Sequence, residues 1–148
     1  MLKSTNVTDA RPAVYPDEAG KVLVSDGTYG ITAAENVDEQ TIALCSLPAG
    51  CIPLDFTLIV DDLDSHGTPA IVVDGGGISA TEDSVDRIMI PASTVAQAGG
   101  VARSTLFPMV APVDKETLFG MHITTAAGTA AAGTIRGILT YRAEEYGG

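Results

Sequence analysis

The stretch "VDDLDSHGTPAIVVDGGG", residues 60–77, gathers the groups best placed to do chemistry. Asp61, Asp62, Asp64 and His66 crowd a turn at Gly67, and three glycines follow a short apolar run. Asp62, Asp64, His66 and Gly67 echo the start of a calcium loop, in which oxygen ligands alternate along the chain. The echo breaks where His66 takes the fifth position and Val73 the twelfth, the place of a bidentate Glu. The flanks also read as strands, where a calcium loop of this kind has helices. A different cation site on Asp61, Asp62 and Asp64 stays open. The run "DGGG" would suit a phosphate cradle if a helix N-terminus followed it. The acidic "ISATEDSVD" follows instead and would repel phosphate. The expectation is a flexible surface loop over residues 75–86. The turn before it, shaped by Gly67 and Pro69, would hold its aspartates at a solvated tip.

Other reactive groups are sparse. There is no G-x-S-x-G elbow, and only His66 and His122 could act as bases. His122 falls on a strand face, where a satisfied or exposed imidazole is the usual state. Cys45 and Cys51 flank "SLPAG" at a spacing that fits no zinc pattern. A disulfide across that turn is conceivable, but a cytoplasmic product more often keeps such thiols reduced and buried. No catalytic residue, cofactor or metal ligand is assigned, and the chain does not read as an enzyme. Nineteen acidic residues against eight basic ones give a net charge of −11. That sign opposes binding to a phosphate backbone or an anionic membrane surface. No secretion signal and no apolar stretch of about 18 residues is present, which places synthesis in a cytoplasm.

The elements that must position these residues are short strands. The 148 residues suit one domain, and 45% of them are hydrophobic with few aromatics. "KVLVSDG", a strand ending in a turn, is followed by "TYGITAA", "EQTIALCSL", "PLDFTLIVDD", "PAIVVD", "DRIMIP", "TLFGMHITT" and "TIRGILTYR". Period-2 alternation puts Leu54, Phe56, Leu58 and Val60 on one face, and Ile135, Gly137, Leu139 and Tyr141 on another. Arg136, Thr140 and Arg142 then point outward. "PASTVAQAGG" offers one helical turn capped by Ser93 or Thr94 and stopped by glycine. "TTAAGTAAAGT", residues 124–134, reads as a mobile connection. About eight strands separated by Gly and Pro turns predict an all-β, jelly-roll-like β-sandwich over residues 20–148. Residues 1–19, with Pro12 and Pro16 and no periodicity, predict an extended N-terminal arm.

Four segments, "LPAGCIPLDF", "DDLDSHGTPAIVVD", "STVAQAGGVAR" and "GTIRGILTYR", occur in this order between residues 47 and 142. Together they resemble tailed-phage and prophage virion structural proteins of the capsid decoration, or cement, type. The trimeric dUTP-hydrolysing enzymes are similar only in size and strand content, since their P-R-S-G-type motif and glycine-rich tail are missing. The resemblance implies a structural protein on the capsid exterior that binds the major capsid protein and stabilises the shell. Separately, the excess of small apolar residues over aromatics suits flat packed faces and predicts self-association, with a trimer favoured over a dimer. Lys3, Arg11, Val14 and Tyr15 of the arm are the expected partner-binding residues. Arg136 and Arg142 on the outward strip come next. The alternative from another class is a small β-sandwich binding module for glycan or calcium on a virion or cell surface.

Overall fold

The structure is a computed structural model and describes residues 1–4 and 21–143. Among these residues nine strands form two sheets. They are β1 (Leu2–Lys3), β2 (Val22–Ile31), β3 (Thr41–Leu47), β4 (Cys51–Val60), β5 (Val72–Ile78), β6 (Val85–Ser93), β7 (Gly100–Arg103), β8 (Thr117–Thr125) and β9 (Gly133–Ala143). One sheet runs β1-β3-β8-β5-β6 and the other β2-β9-β4-β7. The helical turn is a single 3₁₀ turn at Val95–Gln97.

The pairing is nested. β5 pairs with β6, β4 with β7, β3 with β8 and β2 with β9, all antiparallel. The chain is thus one long hairpin, folded at residues 79–84 and rolled so that successive pairs fall in alternate sheets. That winding is the jelly roll. It forces most connections to cross between the sheets. Four such crossings, β2 to β3, β4 to β5, β6 to β7 and β8 to β9, lie at one end of the sandwich.

The inner faces carry the alternation read from the sequence. On β9 Ile135, Leu139 and Tyr141 are buried, and Phe56, Leu58 and Val60 of β4 meet them. From the other sheet come Leu44, Val73, Phe119, Met121 and Ile123. Phe56 and Phe119 pack edge to face across the interface, with centroids 5.6 Å apart. Leu54 departs from the expected inward face, because a bulge between Pro53 and Asp55 shifts the register of β4 against β9 there.

Two glycine-bearing stretches expected as turn or loop are strand. Residues 25–27 lie inside β2, each paired with β9, so "KVLVSDG" and "TYGITAA" are one element. Turn-forming residue types lose here to a long partner strand. A Cβ on Gly27 would lie 1.8 Å from the Leu44 carbonyl oxygen of the opposite sheet. Glycine alone lets the two backbones approach this closely. Residues 75–77 belong to β5, which is central in its sheet between β8 and β6. Gly76 has φ +151, and a Cβ there would meet the Arg87 carbonyl oxygen at 2.2 Å. The run therefore bulges a buried strand, and the loop expected over residues 75–86 shrinks to residues 79–84.

Residues 2–4 also belong to the body. Leu2 and Lys3 pair in parallel with Ile42 and Ala43, and the buried Ser4 hydroxyl donates to the Leu44 carbonyl. The expected arm is therefore pinned at its start. The pairing with β3 and two hydrogen bonds of Ser4, to the Ala43 and Leu44 carbonyls, outweigh the lack of periodicity in so short a run. Most of the arm, residues 5–20, lies outside the described residues.

Gly27→Ala should lower the unfolding midpoint by about 10 °C or more, since overpacking a backbone contact costs about 3 kcal/mol. Gly30→Ala, whose Cβ meets nothing within 4 Å, should leave it unchanged or slightly raised. Thermal unfolding followed by circular dichroism checks both. Equal midpoints for the two variants would refute the close approach.

Candidate functional site

The aspartate cluster is a fold anchor. Asp64 is 1% exposed, not at a solvated tip. Its Oδ1 accepts from the backbone N–H of His66 and Thr129, and its Oδ2 from those of Ala70, Ile71 and Gly128, at 2.7–3.2 Å. Burial pushes this carboxyl up, but the N–H groups of Thr129, Ala70, Gly128 and His66 outweigh it and hold it well below the usual range. A carboxylate saturated by donors has no lone pair aimed at a cation, so Asp64 leaves the proposed ligand set. Asp62 accepts from the Asp64 N–H, and Asp61 from the Thr134 N–H. The connection expected to be mobile over residues 124–134 shrinks to residues 126–132, and it is held by Asp64 and by an isolated bridge between Asp64 and Ala130. No sequence-local signal shows this, because the donors lie more than sixty residues away.

The remaining reactive groups are spent on structure. His122 is buried, with Nδ1 2.9 Å from Thr41 Oγ1 and Nε2 3.5 Å from the Glu39 carboxylate. His66 Nδ1 accepts the Thr68 N–H and closes its own turn. Cys45 and Cys51 are free, buried thiols. Burial raises both, and at Cys45 the nearby Asp26 carboxylate raises it further. Such thiols stay protonated and inert.

What the body does offer is a surface. The outer face of the β2-β9-β4-β7 sheet is built in rows by strand register. Val22 sits beside Arg142, and Val24 beside Thr140. Asp26, Ile138, Thr57 and Arg103 form a third row, and Thr28, Arg136, Ile59 and Val101 a fourth. Val22, Val24 and Val101 are 62%, 55% and 61% exposed. Arg136 Nη2 donates to Asp26 at 2.9 Å, and Arg103 lies 3.7 Å from Asp55. Exposed pairs of this kind contribute little to stability.

Arg136 and Arg142, expected as an outward strip, do share this face. Lys3 does not, since it is exposed on β1 at the edge of the other sheet. Arg11, Val14 and Tyr15 lie outside the described residues. The sequence reading missed Val22, Val24, Ile59, Val101 and Arg103, although the alternation of "KVLVS" already puts both valines on one side. It also missed the connection of residues 104–116. There Leu106, Phe107 and Val110 are exposed, Val110 at 86%. The signal was the uncharged run "STLFPMVAPV" in an otherwise acidic chain.

Two solved structures share this architecture over nearly the whole chain. A chain of the capsid of Ralstonia phage GP4 superposes with a TM-score of 0.82 and 30% identity, over 97% of this chain and 98% of that one. The chain belongs to this family of phage virion structural proteins. A chain of the cyanophage Pam1 capsid asymmetric unit matches with a TM-score of 0.66 and 30% identity, over 90% and 95% of the two chains. No protein-family profile and no curated protein matches the chain. For a virion structural protein, a flat exposed sheet face is a more telling feature than any reactive cluster.

The Asp64 network carries a pH signature. Its folded carboxyl lies below the ordinary value of 3.8, so its stabilisation is full above that pH and is lost as pH falls below it. Asp64→Asn should lower the unfolding midpoint near neutrality by about 10 °C, and the gap to the native protein should close on acidification below that value. A gap that persists unchanged to pH 2 would count against the ionised anchor. EDTA should leave the native midpoint where it is.

Proposed function

We propose that this virion structural protein is a capsid decoration (cement) protein, seated on the outside of the major capsid shell and stabilising it. The observation that carries this reading is charge. A chain of −11 that belongs in a virion is repelled by packaged nucleic acid, which favours the outer surface over the lumen. The form supports it. A small rigid jelly roll with its reactive groups committed to hydrogen bonds is suited to binding, not to catalysis. The major capsid protein is the partner, and the protein also binds itself, as a trimer in preference to a dimer. Lys3, Arg11, Val14 and Tyr15 are proposed to join Arg136 and Arg142 in contacting the partner.

A glycan- or calcium-binding module fits less well. Asp64 is saturated, and Phe56, Phe119 and Tyr141 are buried. Among the described aromatics only Phe107 is broadly exposed for stacking on a sugar.

The test is addition of the purified protein to particles that lack it. Binding should saturate at a fixed number of copies per particle and raise the temperature at which the shell opens. Light scattering of the free protein should give a trimer mass. A particle whose opening temperature ignores saturating protein would rule out the cement role.

A further inference from the structure

We propose that the outer face of the β2-β9-β4-β7 sheet is the shell-docking surface, and that it seats on an acidic patch of the shell that also offers apolar contacts. The inference rests on the decoration reading and adds which face docks and what it meets.

The argument is charge distribution. Of the chain's five arginines, Arg103, Arg136 and Arg142 stand on this one face. Among the described residues of these rows, Asp26 and Asp55 are the acids that accompany them, each within reach of an arginine. The face is therefore mildly positive, while the rest of the body is strongly acidic. An acidic partner surface would be repelled by every other side and drawn to this one. The arginines remain available to it. Only Nη2 of Arg136 and of Arg103 is engaged with a carboxylate, and a guanidinium carries five donors. Arg142 has no hydrogen bond or ion pair among the described residues. Each of the two distal arginines has an apolar neighbour, Val22 beside Arg142 and the Ile59–Val101 pair beside Arg136. A guanidinium flanked by exposed valines is the composition of an interface core.

The face is also ready without rearrangement. β9 and β4 are central strands, paired on both sides, so the rows cannot slip. The open groove of about 580 Å³ between β6 and β7 shares Val101 and Arg103 with this face and is otherwise lined mainly by small residues, with Arg103 as its one charge.

The test uses the full chain on particles that lack it. The triple substitution Arg103→Gln, Arg136→Gln, Arg142→Gln removes the charge but keeps the strands, and circular dichroism confirms folding. Arg87→Gln, on the other sheet, is the control. Affinity should fall about 100-fold in the triple variant and not in the control. Native binding should weaken as salt rises, and the triple variant should lose that dependence. Val22→Ser with Val101→Ser should weaken binding at every salt concentration. If native protein binds and the triple variant binds equally with the same salt dependence, the face is wrong and residues 104–116 become the contact. If native protein fails to bind at all, the decoration reading falls, and this inference falls with it.

Discussion

A buried carboxylate at one end of the sandwich holds the winding together. Leu63 and Asp64 stand in the β4–β5 crossing, and all the other crossings at that end attach to them. The Asp64 carboxylate grips the β8–β9 crossing through Gly128 and Thr129. The Leu63 carbonyl accepts from Ala131 N–H of the same crossing and from Asn36 Nδ2 of the β2–β3 crossing. The Leu63 N–H donates to Ala96 of the β6–β7 crossing. Polar backbone that crosses between sheets must find partners or lose stability. Here one dipeptide supplies a partner to each of the other three crossings. Its charge is tolerable in a dry place only because five N–H groups surround it.

That knot divides the molecule's two ends by role. At the knotted end the crossings constrain one another, and little can vary. At the opposite end lie the 48–50 turn, the 79–84 hairpin tip, residues 104–116 and Lys21 just before β2, while Ser4 sits midway along β3. The 104–116 connection leaves β7, bonds to Met89 of β6, and returns to Gly50 and Cys51 at the start of β4. It is anchored at both feet while its middle exposes Leu106, Phe107 and Val110. Loops on a rigid frame of this kind can change without disturbing the core.

Much of the frame was legible and much of its wiring was not. The alternation of "TIRGILTYR" separates the buried from the exposed face of β9, because the two faces are read locally and burial follows period 2. The same rule gave the inward set of β4 except Leu54, where a bulge intervened. Misreadings occur where the deciding partner is far away in sequence. "SDG" and "DGGG" carry turn residues, yet strand partners hold them extended. Asp64 looks like one of several surface acids until the N–H groups of Gly128 and Thr129, distant in sequence, join those of its own turn around it. The nested pairing that makes a jelly roll leaves no local trace at all. Exposed residues are legible only as a side, so Arg136 and Arg142 could be placed outward, but not beside Val101 and Arg103.

The docking face gains from the residue types that make the sheet fold. Val22, Val24, Thr28, Thr57, Ile59, Val101, Ile138 and Thr140 are all β-branched, chosen by the strand for their fit to a pleated surface. Such side chains are restricted at χ1 and have less freedom to lose on binding than long unbranched ones. Binding energy from their contact is then not cancelled by ordering. The long arginines do lose freedom, and the existing pairs with Asp26 and Asp55 already restrict two of them. A sheet face selected for folding thus arrives partly organised for association.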